Sequence, residues 1–274
     1  MQMRDDLGIT TKLENGKAYL EFALPEKIGR LLSALQIEIW EGAEGGRLVF
    51  HGEYSSEEAD SMTALLLRPH LWDGMRDPYV YLVKAQGRFR SVEYGEKMGG
   101  MEKEEKLDPA EDITGEVEMY WRQELTIYDV RVVEKKGIFL NEKEFLPHEV
   151  VYRLPPQISD AGTRVEQVRR DLERLVQMGV NVIRLEGTGT GAEGVNCSEV
   201  RTFYSLCRKR GFLTGDLWIR PENLPVYRGL PGETTCQALL AADGRTLTER
   251  YYYYQAKWSS EPVLYPVLST LHRQ

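Results

Sequence analysis

RVEQVRRDLERLVQMGVNVIRL, residues 164–185, is the stretch of sequence that decides the fold of the second half of the chain. Apolar side chains recur there at helical spacing, at Val165, Val168, Leu172, Leu175 and Met178. Gly179 follows at the position where a glycine commonly ends a helix. Val180–Leu185 is then a short apolar run, so the segment predicts a helix followed directly by a buried strand.

The same helix-then-strand pattern occurs again further along the chain. Ser198–Arg210 predicts a helix, closed by Gly211, and Phe212–Ile219 predicts the next strand. Strands that alternate with helices at this spacing are typical of parallel pairing. Three further segments complete the second half: a Pro- and Gly-rich connection at 221–235, a short strand or turn of helix at Gln237–Ala242, and a last helix at Leu247–Trp258.

The first half predicts strands instead of helices. Alternating and aromatic-rich runs occur at Lys17–Ala23, Ala34–Trp40, Arg47–Tyr54, Thr63–Leu67, Pro78–Lys84 and Glu116–Val133, the last being one bent strand or two. About seven strands at this spacing predict a β-sandwich over residues 1–136, followed by an α/β domain over 137–274. The charged segment 95–114 predicts an exposed loop, with a docking loop as the alternative.

Composition limits the classes of function. The chain has 274 residues, is 42% hydrophobic and 28% charged, and carries a net charge of −8. This acidity disfavours nucleic-acid binding, which requires clustered Lys and Arg. The N-terminus resembles no secretory signal, no run is long and apolar enough for a membrane span, and the three cysteines lack metal-site spacing. We therefore expect a cytoplasmic protein without a metal ion.

Four segments carry a resemblance to a known family. They are HLWDGMRDPYVY (70–81), IFLNEK (138–143), Asp171–Leu185 with FYSLC (203–207), and YYYYQAKWSSEPV (251–263). In this order they resemble segments of the family 2 glycoside hydrolases, the group of β-galactosidases, β-glucuronidases and β-mannosidases. The resemblance implies an immunoglobulin-like β-sandwich followed by a TIM-type (β/α) barrel.

The chain also departs from that family where its chemistry is carried. Fewer than sixty residues separate Leu185 from Asp243, whereas a complete barrel needs about 250 residues in all. In the family, the acid/base glutamate follows an asparagine after the fourth strand and the nucleophile follows the seventh. No segment matches either one, because the only Asn-Glu pair, Asn141-Glu142, belongs to the hairpin that enters the barrel. The resemblance therefore implies a truncated barrel that keeps the first three strands, the last strand and its helix.

A truncated barrel has consequences for assembly. Its exposed strand edges must be covered, so we expect either a homo-oligomer or a partner chain on the open side. The aromatic run Tyr251–Tyr254 with Trp258 on the last helix is consistent with a subunit interface, where Tyr and Trp are enriched.

Candidate ligand-binding residues lie at or near the carboxyl ends of the predicted strands, where barrels carry their sites. They are Arg184, Glu186, Asp216, Trp218 and Arg220. Trp218 would stack on a sugar face, while Glu186 and Asp216 would accept hydrogen bonds from hydroxyl groups. The competing interpretation is internal ion pairing, for example between Arg184 and Asp216.

His148 and Glu149 are two further candidates, beside the first strand of the predicted barrel. Adjacent residues of a strand point to opposite faces, so these two side chains are not expected to act together as an acid/base pair.

Gly189–Gly194 has the spacing GxGxxG after a predicted strand, which is the pattern of a dinucleotide-binding loop. Asp216 follows at a distance suited to a ribose contact. Against this interpretation, the next helix begins only near Ser198, and Glu193 would place a negative charge beside the phosphates. We therefore expect no cofactor.

Three functions follow from the sequence. The leading hypothesis is a non-catalytic member of the glycoside hydrolase group that binds carbohydrate or assists assembly. The second is an active or partner-complemented glycosidase that hydrolyses O-glycosyl bonds, using a shifted pair such as Glu186 and Asp216. The third is a nucleotide-binding protein that uses Gly189–Gly194.

Overall fold

The computed structural model of the chain describes residues 7–42, 44, 46–92, 113–155, 161–186, 197–214, 224–229 and 238–260. These residues form two compact units. The first unit contains the described residues up to Leu71 and Tyr79–Tyr128, and the second contains Trp72–Pro78 and the described residues from Asp129 onward. The first unit is mainly antiparallel β-structure and the second carries a parallel sheet with helices, so the predicted combination of β and α/β structure is confirmed.

The described residues of the first unit form seven strands in two antiparallel sheets, in the orders β1-β2-β5 and β4-β3-β6-β7. The strands are β1 (Gly8–Glu14), β2 (Lys17–Ala23), β3 (Leu32–Glu41), β4 (Leu48–Ser55), β5 (Thr63–Leu67), β6 (Tyr81–Val92) and β7 (Ile113–Leu125), with a short helix α1 (Glu26–Gly29) between β2 and β3. The side chains of β2 alternate between exposed and buried. Residues of both sheets, among them Leu20, Ile37, Val83 and Phe89, belong to one hydrophobic core.

The hairpin between β1 and β2 has a two-residue turn at Asn15 and Gly16. Both residues have positive φ, at 52° and 72°, and Glu14 pairs with Lys17 across the turn. An Asn-Gly turn of this kind suits the twist of a hairpin because asparagine and glycine tolerate the left-handed backbone. Strand β1 was not among the strands expected from the sequence.

The segment Glu116–Val133 is two strands, the second of which lies in the second unit. There β8 (Val130–Val133), β9 (Gly137–Leu140) and β10 (Lys143–Phe145) form a three-stranded antiparallel sheet. Asn141 and Glu142 make the turn between β9 and β10 with φ of 48° and 68°, so they belong to a hairpin, as the sequence predicts.

The segment Trp72–Pro78 belongs to the first half of the sequence, but it packs in the second unit. Trp72 is buried, and its indole Nε1 donates a hydrogen bond to the carbonyl of Arg208, 3.1 Å away. Asn141 Nδ2 donates to the Trp72 carbonyl at 2.8 Å, and Lys143 Nζ lies 2.9 Å from the Asp73 carboxylate. The second unit therefore needs a segment that precedes it by more than fifty residues in the chain.

A five-stranded parallel sheet forms the centre of the second unit. Its strands are β11 (Glu149–Tyr152), β12 (Val182–Leu185), β13 (Leu213–Thr214), β14 (Val226–Arg228) and β15 (Ala238–Leu240), in the spatial order β13-β12-β11-β14-β15. The segment 221–235 is thus not only a connection, because it contains β14. Gln237–Ala242 contains a strand, which was one of its two predicted forms.

In the described part of the second unit, three helices pack beside this sheet: α2 (Ala161–Met178), α3 (Cys197–Arg210) and α4 (Glu249–Trp258), with α2 in contact with both of the others. The apolar face predicted for α2 is largely buried. Gly179 and Gly211 follow α2 and α3 with φ of 83°, as predicted for glycines that end helices. No helix among the described residues has the length and apolar character needed to cross a membrane.

The strand order places a change of direction next to β11. From β11 the chain continues to β12 and β13 on one side, whereas β14 and β15 lie on the other side. In open parallel sheets, ligands bind outside the carboxyl ends of the strands at such a switch point. The strand order therefore predicts a ligand site near the carboxyl ends of β11 and β14.

Candidate functional site

The ends of β11, β12 and β14 meet at the carboxyl edge of the parallel sheet. Arg153 directly follows β11, and its Nη2 lies 3.2 Å from Glu186 Oε1, just after β12, while its Nε contacts the second carboxylate oxygen. Arg153 Nη1 also donates to the carbonyl of Arg228 at the end of β14, at 3.2 Å. The Arg153 side chain therefore joins three strands at the switch point. We call Arg153, Glu186 and the end of β14 the carboxyl-edge site.

Glu149 and Arg184 form a second ion pair, between the neighbouring strands β11 and β12. Nε and Nη2 of Arg184 each lie 2.9 Å from Glu149 Oε1, and the Glu149 side chain is fully buried. In the register of β11 and β12, Glu149 lies opposite Val182, and Val182 and Arg184 share one face because they are two residues apart. Arg184 thus reaches diagonally across the strand pair to the carboxylate.

His148 lies at the opposite end of β11. Its ring Nδ1 is 2.8 Å from the carbonyl oxygen of Gly179, and its ring stacks on Trp258 with centroids 5.1 Å apart and planes 8° apart. The structure therefore separates His148 from Glu186, which follows the carboxyl end of the neighbouring strand. His148 supports the packing of the end of α2 and the end of α4.

Asp171 is a buried carboxylate that the sequence analysis did not single out. It accepts hydrogen bonds from the Tyr152 and Tyr227 hydroxyls, each at 2.9 Å, and from Arg228 Nη2 at 2.8 Å. Arg174 Nη1 lies 3.7 Å from the same carboxylate. This group, which we call the Asp171 cluster, ties α2 to strands β11 and β14.

The tyrosines of the Asp171 cluster are held as hydrogen-bond donors. Burial, reinforced by the negative charge of Asp171, raises the pKa of Tyr152 well above its ordinary value. The pKa of Tyr227 is raised for the same two reasons, burial being the larger. Both hydroxyls therefore keep their protons across the physiological pH range and donate hydrogen bonds to the carboxylate.

A sequence signal for the Asp171 cluster does exist. Asp171 is three residues after Val168 and four before Leu175, so it lies on the apolar face of α2. A charged residue on a core-facing position must be paired when it is buried. Tyr152 and Tyr227 gave no comparable signal, because each lies in a short strand without a recognisable period.

Three of the predicted candidates, Asp216, Trp218 and Arg220, lie outside the described residues, as does the loop Gly189–Gly194. Within the described part of the chain, no group of three or more His, Cys, Asp or Glu side chains is placed to hold a metal ion.

The paired geometry determines what the described carboxylates can do chemically. A guanidinium within hydrogen-bonding distance stabilises the ionised form of a carboxylate. Glu149 and Glu186 each accept hydrogen bonds from an arginine. Of the two, only the Glu186 side chain is substantially open to solvent, with 46% of its surface exposed.

Several solved structures of β-glucuronidases are similar to this chain. The enzyme from Ruminococcus gnavus with C6-substituted uronic isofagomine has a TM-score of 0.48 and 18% identity, over 76% of this chain and 28% of that one. The Parabacteroides merdae enzyme with glycerol in its active site has a TM-score of 0.49 and 15% identity, over 76% and 23%. A further Ruminococcus gnavus β-glucuronidase structure gives 0.48 and 18%, over 76% and 28%.

This chain thus spans less than a third of the length of each of these enzymes. No family model matches the chain. No curated protein matches it either.

Proposed function

We propose that this protein is a non-catalytic relative of the family 2 glycoside hydrolases that binds a carbohydrate at the carboxyl edge of its parallel sheet. The observation that carries the proposal is the pairing of Glu149 with Arg184 and of Glu186 with Arg153. Each of these carboxylates is committed to an arginine. The pairs also place charged groups at a strand edge where ligands commonly bind.

The chemistry of glycoside cleavage supports the non-catalytic half of the proposal. Retaining enzymes need two carboxyl groups about 5–5.5 Å apart, one of them protonated with a raised pKa. Glu149 and Glu186 are each engaged by an arginine instead. Glu149 is in addition buried within the sheet and inaccessible to a sugar.

The architecture that we propose for the two units follows the sequence resemblance. We assign the first unit to the immunoglobulin-like β-sandwiches, because a three-stranded and a four-stranded antiparallel sheet share one core. We assign the second unit to a contracted (β/α) barrel, because its strands are parallel and helices α2, α3 and α4 pack side by side.

Carbohydrate binding at the carboxyl-edge site rests on hydrogen-bonding capacity. Glu186, with 46% of its side chain exposed, offers acceptor oxygens, and sugar hydroxyls both donate and accept. In the proposal, Asp216 and Arg220 add polar contacts and Trp218 provides the apolar surface that stacks on a sugar ring.

The test is calorimetric titration of the intact protein with galactose, mannose, glucuronate, their aryl glycosides and sugar-mimicking inhibitors. We expect saturable binding of one sugar class. Glu186→Gln should weaken that binding about tenfold, which corresponds to about 1.4 kcal/mol. The matched control is Glu173→Gln, which breaks another Glu–Arg pair, 3.0 Å from Arg210 on the exposed surface, and should leave binding unchanged.

Two results would contradict this proposal. Absence of binding for every sugar class would favour a scaffold that binds another protein. Equal affinities of the wild type and Glu186→Gln would place the sugar elsewhere in the molecule.

We also propose that a second copy of the chain covers part of the second unit. The support is exposed apolar surface, since 72% of Leu146 and 59% of Tyr253 is accessible. Sedimentation velocity should then show a dimer that Tyr253→Ser weakens, and a monomer at all concentrations would contradict this assignment.

A further inference from the structure

A cavity lies in the helical layer of the second unit, between the segment after β11, the first half of α2 and the first half of α3. Its volume is about 150 Å³, and most of its wall is apolar: Leu154, Val165, Val168, Phe203 and Leu206. Val168 and Phe203 are buried members of the hydrophobic core. The Phe203 ring stacks on Tyr152, with ring centroids 4.9 Å apart. The inner wall is therefore held in place by the packing of the unit.

One arginine joins the three walls of the cavity. The Arg164 guanidinium, on α2, contacts the Glu199 carboxylate on α3, and its Nη2 donates to the Pro155 carbonyl at 3.2 Å. All three residues line the cavity. These contacts tie the walls of the cavity together, so a ligand would lose little free energy in ordering them.

We propose that this cavity binds a small, neutral aromatic or branched-alkyl group. The size fits, since apolar cavities of about 150 Å³ in proteins take up benzene. The charge fits as well, because the positive charge of Arg164 is already matched by Glu199. Thr202 lines the cavity and is exposed to solvent, so it marks the opening.

Water is a poor occupant of the inner part of this cavity. A buried water needs two to four polar partners, whereas the inner wall consists of aliphatic and phenyl groups. Wall atoms that face empty space lose their dispersion contacts. An apolar group restores these contacts, so such a group is favoured over solvent.

The experiment is a titration of the full chain with toluene and with phenol, followed by NMR of isotope-labelled Leu and Val methyl groups. The wall methyls of Leu154, Val165 and Leu206 should shift in a saturable way. The methyls of Leu65 and Leu67, which are exposed in the first unit, should not shift and report unspecific effects.

Two filling variants and one control make the test specific. Val165→Phe and Leu206→Phe fill the cavity from α2 and α3, and each should weaken toluene binding at least tenfold. Val176→Phe makes the same change as the first variant at an exposed position of α2 and should bind like the wild type. Two filling variants are used so that one remains informative if the other fails to fold, as judged by its circular dichroism.

Two outcomes would overturn the inference. In one, the wall methyls of the wild type show no saturable shift with either probe. In the other, the folded filling variants bind toluene as tightly as the wild type does.

Discussion

Replacing Asp171 by asparagine tests whether one buried carboxylate holds helix α2 to the parallel sheet. The carboxylate accepts hydrogen bonds from Tyr152, Tyr227 and Arg228 at 2.8–2.9 Å. Asparagine has nearly the same shape, but it carries no charge and has a single acceptor oxygen. The substitution therefore removes the counter-ion of Arg228 and at least one acceptor without creating a cavity.

The magnitude follows from the burial of the partners. Only 6% of the Arg228 side chain is exposed, so its charge would remain inside the protein without its counter-ion. Removing one partner of a buried ion pair costs about 3–5 kcal/mol. A buried tyrosine hydroxyl that loses its acceptor adds about 1 kcal/mol. We expect Asp171→Asn to lower the free energy of unfolding of the second unit by about 4–6 kcal/mol.

Differential scanning calorimetry measures this effect, because transitions of two units can be resolved as separate peaks. A loss of this size should lower the melting temperature of the second unit by at least about 10 °C. The control is Glu173→Gln, two residues further along the same helix, which breaks an exposed pair with Arg210. Exposed pairs contribute about 0–1 kcal/mol, so the control should melt nearly like the wild type. If both variants lose the same small amount, the Asp171 cluster does not anchor α2 and the reasoning is wrong.

Three further predictions concern stability. Trp72→Ala should cost about 3–5 kcal/mol in urea unfolding, because the ring is buried in the second unit, and a loss below 1 kcal/mol would refute its anchoring role. Gly179→Ala should lower the melting temperature more than Gly137→Ala. Both glycines have positive φ, but only at Gly179 would the new Cβ lie 2.5 Å from a carbonyl oxygen, so equal losses would argue against the clash. Hydrogen bonds from the hydroxyl and amide of Thr246 lower the pKa of Asp243 from 3.8 to about 2. The stability that this group contributes is therefore present above pH 3.8 and lost as pH falls through about 2. An NMR titration of its carboxyl carbon checks the value, and an ordinary pKa near 3.8 would contradict it.

The helices of the second unit were predictable because they are long and amphipathic. The pattern from Val165 to Met178 places α2 to within three residues of its observed start, and its end coincides with the prediction. Gly179 and Gly211 add a second, independent signal, since a helix commonly ends where a glycine can adopt positive φ. The helical period of the apolar residues and the glycine at the end together determine where such a helix lies in the sequence.

Short strands were not predictable in the same way. Strand β14 has three residues, Val226–Arg228, between Pro225 and Gly229, which is too short for any period to show. Its Pro- and Gly-rich surroundings indicate a connection, and only pairing with β11 and β15 makes it a strand. Strand β1 is different, because Asn15-Gly16 is a strong hairpin signal from which β1 could have been found.

The candidate site was predictable only in part: Glu186 was among the predicted residues, whereas Arg153 and the end of β14 were not. The sequence indicates Arg184 and Glu186 from their position at the end of an apolar run. It contains no information on register, and it is the register of β11 and β12 that brings Glu149 beside Arg184. The contact of Arg153 with Glu186 likewise depends on the spatial order of the strands.

The measurement that tests the central claim most directly is the release of 4-nitrophenol from aryl galactosides, mannosides and glucuronides by the intact protein. The paired states of Glu149 and Glu186 predict a rate equal to that of a buffer blank, including for the sugar class that calorimetry shows to bind. Turnover above the blank that Glu186→Gln abolishes would contradict the account, because it would show that this carboxylate takes part in cleavage.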